Sequence, residues 1–191
     1  MTLLEHRSSP FLIASAWHPE AIGVLATEIG LACDNPREMK TRIRAALETA
    51  VREPGLLNAA QRAADARCYA RHVIYADPLG RFTVLAIVWG AGQFSPPHAH
   101  DTWCAYAVYD SSLCETLYAA GSGGPAKPIC TEVRNPGYSC FAGAGLDQIH
   151  RLGNSGTKPA ISIHVYGVER DRIGTHVNRI VEIGHEKGPV A

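Results

Sequence analysis

Three histidines have the residue type and spacing of a transition-metal site. His98 and His100 are separated by one residue, and His150 follows in a later apolar segment. In a β-strand alternate side chains point to the same face, so His98 and His100 are predicted to point the same way. Neutral imidazole is a common ligand of iron, zinc, copper and nickel, and three ligands leave coordination positions open. We interpret His98, His100 and His150 as metal ligands.

A second polar row occupies the segment from residue 160 to residue 168. Ser162, His164 and Tyr166 alternate in sequence and are predicted to share one face of a strand. The positions between them make the opposite face apolar: Ile161, Ile163 and Val165. A strand of this kind is expected to line a polar pocket inside a β-barrel. Without His164 between them, Ser162 and Tyr166 would be interpreted as ordinary barrel residues.

The elements that must position these residues are short strands, which begin at about residue 68. Runs rich in Val, Ile, Tyr and Thr are separated there by Gly, Pro, Asn and Asp. Many short strands at such spacing favour an antiparallel sandwich or barrel. The predicted strands cover 69–75, 81–89, 98–109, 113–119, 129–134, 138–142, 147–152 and 160–168. The predicted turns cover 77–80, 110–112, 121–125 and 135–137.

Residues 19–66 have helical periodicity instead, with apolar residues three, four and seven apart between residues 39 and 51. Asn35-Pro36 predicts the N-cap and first residue of this helix. Pro54-Gly55 is predicted to end it, and 56–66 to form another short helix. We expect a single domain over 1–191, with a helical part (1–66) packed outside a β-barrel (67–180).

Composition excludes several classes of protein. Lys plus Arg equals Asp plus Glu at 18 each, so no global charge favours nucleic acid or a membrane surface. The first residues lack the pattern of a signal peptide, and no stretch is long and apolar enough to span a bilayer. A cytoplasmic protein, monomeric or homodimeric, is expected. The six cysteines form no C-x-x-C pair. Scattered cysteines of this kind in a reducing compartment are mostly buried and behave as small hydrophobic residues.

Several separated motifs carry a family resemblance. They are Tyr69-Ala70-Arg71, Trp89-Gly90-x-Gly92 leading to Pro97-His98-x-His100, Glu115-Thr116-Leu117, His150, and Ser162-Ile163-His164-Val165-Tyr166-Gly167. From Cys68 to about Val168 the chain thereby resembles the cysteine dioxygenase family of cupin-type thiol dioxygenases. The last motif is the most specific, because members of that family carry a Ser-His-Tyr triad at these positions. The resemblance implies a mainly β cupin fold, a double-stranded β-helix or jelly-roll barrel.

The resemblance also implies the ligands and the substrate contacts. His98, His100 and His150 would hold a ferrous ion, Fe(II). Arg71, with Tyr69 close by, would pair with the carboxylate of the substrate, which suits a planar guanidinium. The alternative for Arg71 is a surface salt bridge.

The Ser-His-Tyr positions and Cys104 complete the implied catalytic set. Tyr166 would hydrogen-bond bound oxygen or the carboxylate, oriented by His164, which is held by Ser162. Cys104 lies near the cysteine that forms a thioether crosslink to the triad tyrosine in the animal enzymes. A Cys104–Tyr166 crosslink is therefore one hypothesis, and Cys104 as a thiolate ligand of the metal is the alternative.

The implied activity is an iron-dependent oxidation of a small thiol by O2 to its sulfinic acid, with L-cysteine as the expected substrate. Arginine at position 71 suggests cysteine, whereas relatives with glutamine favour 3-mercaptopropionate. Another metal-dependent cupin enzyme on a non-thiol substrate, or a non-catalytic cupin, are the other classes. Glu115-Thr116 is interpreted as a structural cross-strand pair. The histidines interpreted as surface or core residues are His6, His18, His72, His176 and His185.

Overall fold

The computed structural model describes residues 19–121 and 124–184 of the chain. The helices are α1 (Pro19–Cys33) and α2 (Met39–Ala50). The strands are β1 (Ala70–Ala76), β2 (Thr83–Trp89), β3 (His98–His100), β4 (Cys104–Asp110), β5 (Leu113–Ala119), β6 (Lys127–Arg134), β7 (Ser139–Ala142), β8 (Gly145–Gly153), β9 (Ala160–Tyr166) and β10 (Asn178–Ile180). They form two five-stranded antiparallel sheets: sheet A in the order β1-β2-β9-β4-β7, and sheet B in the order β10-β3-β8-β5-β6.

The two helices pack on the outer face of sheet A, as expected. Their apolar residues, with Ile29, Ile43 and Leu47 fully buried, share one hydrophobic core with alternate residues of β2 and β9. This core includes the apolar face predicted for β9: Ile161, Ile163 and Val165. Sheet A is therefore covered on both sides, which explains why β2 is a nearly continuous run of apolar residues.

The inner face of sheet A lines the space between the two sheets. Leu85, Ile87 and Trp89 of β2 point inward and pack with Tyr106 of β4 and Leu152 of β8 in a second core. Because side chains alternate along a strand, the inward row of β9 consists of its polar residues. The interior of the barrel therefore contains the predicted Ser-His-Tyr row.

Most predicted turns and strands are confirmed. One example is the turn at Asn135-Pro136-Gly137, in which Gly137 has φ +90° and the Tyr138 N–H donates to the Asn135 carbonyl. Predicted strand 98–109 is instead two strands, β3 and β4, which belong to different sheets. The short strand β10 was not predicted, since nothing in residues 178–180 marks them as the partner of β3.

The helical predictions were partly wrong at their boundaries. Helix α2 begins at Met39 with Glu38 as its N-cap, not at Pro36, because residues 36–38 form a turn in which the Glu38 N–H donates to the Asn35 carbonyl. Segment 56–66 contains only a 3₁₀ turn at Ala60–Arg62.

All six cysteines are free. Their expected burial is wrong for Cys68, which is exposed, and incomplete for four others; only Cys104 is buried. In the part of the chain that the structure describes, neither helix has the length and apolar character needed to cross a membrane.

Candidate metal centre

The three predicted ligands converge from two neighbouring strands of sheet B. His98 and His100 lie on β3, and His150 of β8 is directly opposite His98 in the register. The possible ligand atoms of the three imidazoles all lie within 4.8 Å of one another. All three side chains are buried. Among the described residues, these three histidines form the one group of three or more His, Cys, Asp or Glu side chains that lie close enough together to hold one ion.

Hydrogen bonds on the far side of two imidazoles fix their orientation. His98 Nδ1 donates to the Pro96 carbonyl at 2.9 Å, and His150 Nδ1 donates to Glu115 Oε1 at 2.7 Å. With the proton on Nδ1, the Nε2 atom keeps a free lone pair for a metal. His100 Nδ1 is buried without a hydrogen-bond partner in the described chain.

The surroundings keep the imidazoles of His98 and His100 neutral, which is the form that binds metal. Burial, together with repulsion from His150, lowers the pKa of His98 from 6.5 to about 4. The same two causes, followed by repulsion from His98 and His164, lower the pKa of His100 to about 2. At neutral pH His98 and His100 therefore each offer a neutral nitrogen to a metal.

Glu115 lies directly behind His150, a contact with the candidate site that the sequence interpretation did not include. It was interpreted with Thr116 as a structural cross-strand pair. Thr116 bonds Thr131 across the strands at 2.9 Å, and Glu115 bonds side chains of both neighbouring strands, Arg134 and His150. Glu115 is fully buried behind His150. Burial raises the pKa of Glu115, but hydrogen bonds from His150 and Arg134 hold it below its usual value. The sequence did contain a signal for the burial of Glu115. It lies two residues after Leu113 on β5 and therefore on the same, inward face of the strand, where a carboxylate is unusual.

The row on β9 forms a continuous hydrogen-bond chain. The indole N–H of Trp89 donates to Ser162 Oγ at 2.9 Å, Ser162 Oγ lies 2.8 Å from His164 Nε2, and His164 Nδ1 lies 3.2 Å from the Tyr166 hydroxyl. Burial and repulsion from His150 lower the pKa of His164 to about 3, so it is neutral. Burial raises the pKa of the Tyr166 hydroxyl well above 10, so it keeps its proton.

A small cavity joins this row to the histidines. Its walls include the three histidines, Tyr69, Arg71 and Tyr166. Other lining residues were not predicted from the sequence, among them Ser95, Ile173, Val177 and Asn178. The free space is about 20 Å³, little more than one water molecule requires. A larger groove between α1 and α2 lies outside the barrel, away from the histidines.

Arg71 and Cys104 lie near Tyr166 but contribute differently. Arg71 is an exposed residue on β1. Its positive charge acts to lower the pKa of the Tyr166 hydroxyl, against the larger effect of burial. It forms no salt bridge with a described residue. Cys104 is buried opposite Tyr166 and is not part of the group whose ligand atoms converge. The geometry thus gives no support to Cys104 as a metal ligand.

His72 and His176 lie outside this site. His72 Nε2 bonds the Ala63 carbonyl, and His176 Nδ1 bonds the Thr175 hydroxyl. His6, His18 and His185 are outside the described residues.

Comparison with known proteins identifies the family. The family model described as cysteine dioxygenase type I matches residues 57–179, which include all three histidines and the β9 row. The chain belongs to the cysteine dioxygenase type I family. Cysteine dioxygenase type 1 of Bos taurus is 29% identical over 119 residues, 56% of this chain. The match spans 58% of the bovine protein.

Similar folds occur among solved structures. A Thermus thermophilus protein has a TM-score of 0.46 and 16% identity over 59% of this chain and 96% of its own. A Klebsiella pneumoniae protein with a double-stranded β-helix domain has a TM-score of 0.44 and 20% identity over 60% of this chain and 90% of its own. The family match, together with the two antiparallel sheets and the outer helices, confirms the expected cupin fold.

Proposed function

We propose that this protein is an iron-dependent thiol dioxygenase that oxidises a small carboxylate-bearing thiol, with L-cysteine as the first candidate, to its sulfinic acid with O2. The observation that carries the proposal is that the three histidines, the Arg71 guanidinium and the Tyr166 hydroxyl line one cavity. Membership in the cysteine dioxygenase type I family supports the same activity.

The donor set fits a divalent transition metal. Three imidazoles without a carboxylate suit Fe(II), and also Zn(II), Cu(II) and Ni(II); family membership favours iron among these. His98, His100 and His150 would hold the ion. Iron(II) bound there supplies the redox chemistry that allows dioxygen to react with a thiolate.

Arg71 would select and orient the substrate. Its guanidinium has no carboxylate partner among the described residues, and it borders the cavity beside Tyr69 and Tyr166. A planar guanidinium binds a carboxylate through two parallel hydrogen bonds. Because Arg71 and the histidines line the same cavity, the thiol of a small substrate would reach the histidines while its carboxylate stays at Arg71.

Tyr166 would present a proton to the substrate or to dioxygen. An indole N–H can only donate, so Trp89 donates to Ser162 Oγ, and the Ser162 hydrogen is available for His164 Nε2. His164 Nδ1–H then donates to the Tyr166 oxygen, and the phenol hydrogen is left for a further acceptor. The hydrogen-bond chain would therefore keep Tyr166 a donor.

The test is oxygen uptake by iron-loaded protein with a panel of small molecules. Cysteine, 3-mercaptopropionate, cysteamine and non-thiol carboxylates of similar size are compared, and the products are identified by mass spectrometry. Sulfinic acid formed with oxygen uptake supports the proposal, and the preferred thiol names the substrate. Uptake with non-thiols alone would identify a different cupin enzyme, and no uptake with any compound would overturn the enzymatic assignment.

A further inference from the structure

Arg134 links the metal centre to the edge of sheet B. It lies at the end of β6, the edge strand, and its side chain is only 13% exposed. Arg134 Nε donates to Glu115 Oε2 at 2.7 Å, and its Nη1 atom donates to Glu132. The guanidinium also lies over the ring of Tyr138, with the central carbon 4.3 Å from the ring centroid. Three contacts therefore fix its position.

Glu115 uses one oxygen for each of two partners. Oε2 accepts from Arg134, while Oε1 accepts from His150 Nδ1, also at 2.7 Å. A carboxylate held at both oxygens cannot rotate without losing one contact. The direction in which Glu115 presents Oε1 to His150 is thus determined by Arg134.

We infer that Arg134 is a positioning residue of the metal centre, which acts through Glu115 to hold the ring and the tautomer of His150 for ligation. This inference rests on the three-histidine metal site of the proposed function, but not on the thiol chemistry.

His98 provides the contrast. Its Nδ1 donates to a backbone carbonyl, that of Pro96, at 2.9 Å, and the Ser95 hydroxyl lies farther from it, at 3.5 Å. The orientation of His150 depends instead on two side chains in sequence, since Glu115 is held by Arg134. Partners behind a metal-bound histidine typically contribute 10–100-fold to metal affinity, on the order of what we expect for this pair.

The test is the affinity of the full-length, metal-free protein for Co(II), measured by visible absorption in competition with a chelator. The variants are Arg134→Gln, Glu115→Gln and the double variant. Each single variant should bind roughly 10–100-fold more weakly than the wild type. The double variant should bind no more weakly than Glu115→Gln, because Arg134 acts only through Glu115.

The matched control is Arg151→Gln. Arg151 follows His150 on β8, contacts the ring of Phe94 and lies on the other face of the strand, so its removal takes away the same charge without touching Glu115. Its Co(II) affinity should equal that of the wild type. Arg134→Lys keeps the charge but loses the planar guanidinium, so its Co(II) affinity should lie between those of the wild type and Arg134→Gln. This variant provides the test if Arg134→Gln does not fold.

A tautomer measurement separates positioning from general stability. Long-range 1H–15N spectra of histidine-labelled, metal-free protein should place the His150 proton on Nδ1 in the wild type and show a mixture of tautomers in Arg134→Gln. Unchanged Co(II) affinity in Arg134→Gln and Arg134→Lys, or fully additive losses in the double variant, would overturn the inference. A wild type that binds no Co(II) would overturn the metal site itself, whereas normal Co(II) binding without oxygen uptake would contradict only the proposed function.

Discussion

Cys104 and Tyr166 are directly opposite each other in the antiparallel register of β4 and β9. Both side chains point into the barrel, where they are 3% and 6% exposed. Burial is the largest cause that leaves the pKa of each group well above its ordinary value. The contact between them raises the pKa of Tyr166 further and lowers that of Cys104. Opposite residues in such a pair have Cβ atoms about 4.5–5.5 Å apart. A neutral thiol and a neutral phenol are therefore held side by side next to the histidines.

We predict that Cys104 and Tyr166 become crosslinked during turnover. A bond between Cys104 Sγ and the ring carbon next to the Tyr166 hydroxyl replaces one S–H and one C–H bond, and dioxygen takes up the two electrons and two protons. The iron-loaded protein should therefore lose the mass of two hydrogen atoms after incubation with thiol and oxygen. Intact-protein mass spectrometry, followed by peptide mapping of residues 104 and 166, measures this change.

Cys104→Ser is the control for this crosslink, since it preserves the size of the side chain but cannot form the thioether. It should show no loss of mass under the same conditions. An unchanged mass of the wild-type protein after many turnovers would contradict the prediction.

Replacing Arg71 should affect substrate use without affecting the metal. In Arg71→Ala the carboxylate of cysteine loses a charge-assisted, bidentate contact of about 1.5–3 kcal/mol, so kcat/KM should fall roughly 10–100-fold. Cysteamine has no carboxylate, and its oxidation rate should be nearly unchanged. Steady-state oxygen uptake with both thiols, together with the iron content of each sample, measures the difference.

Arg67→Ala is the matched control, because Arg67 lies nearby in sequence, is 89% exposed and pairs only with Asp65 among the described residues. It should leave both rates unchanged. Equal losses for cysteine and cysteamine in Arg71→Ala would show that Arg71 does not recognise the carboxylate.

The sequence predicted the parts of the site that depend on local periodicity. Side chains alternate along a strand, and a shift by one residue would move every polar group of β9 to the helix-covered face. The pattern therefore determined that Ser162, His164 and Tyr166 share the interior, and that His98 and His100 point together. Family motifs supplied His150.

The parts that were missed depend on contacts between distant segments. Glu115 and His150 are 35 positions apart, and nothing near Glu115 in sequence indicates which partner its inward carboxylate meets. Asn178 reaches the cavity because β10 pairs with β3, a pairing of three residues that leaves little pattern. Helix α2 begins later than predicted because the turn at Pro36 satisfies the Glu38 N–H before the helix starts.

Removing one ligand should abolish metal binding. In His150→Ala only two imidazoles remain, and the buried Glu115 carboxylate loses the hydrogen bond from His150 Nδ1. We expect the iron content after reconstitution to fall to background and oxygen uptake to disappear with it. The control is His72→Ala. His72 lies on β1 and bonds the Ala63 carbonyl outside the metal centre, so this variant should retain full iron content. Stoichiometric iron in His150→Ala would show that His150 is not a ligand.

The stability of the metal-free protein should decrease as the pH falls from about 7 to 5. The fold lowers the pKa of His98 to about 4, of His164 to about 3 and of His100 to about 2, each from 6.5. Above pH 6.5 these groups are neutral in both the folded and the unfolded state. Below it, the unfolded chain binds protons that the folded chain excludes, which costs about 1.4 kcal/mol per pH unit for each histidine.

Urea unfolding of the metal-free protein between pH 7.5 and 5 measures this dependence. Carboxylates such as Glu115, whose pKa the fold lowers, contribute little in this interval, because the unfolded chain takes up most of its carboxylate protons below pH 5. His164→Asn removes one of the excluded protons while it keeps all three ligands, so its stability should fall less steeply with pH than that of the wild type. Equal slopes for the two proteins, or a wild type that gains stability as the pH falls, would show that the barrel does not hold these imidazoles neutral.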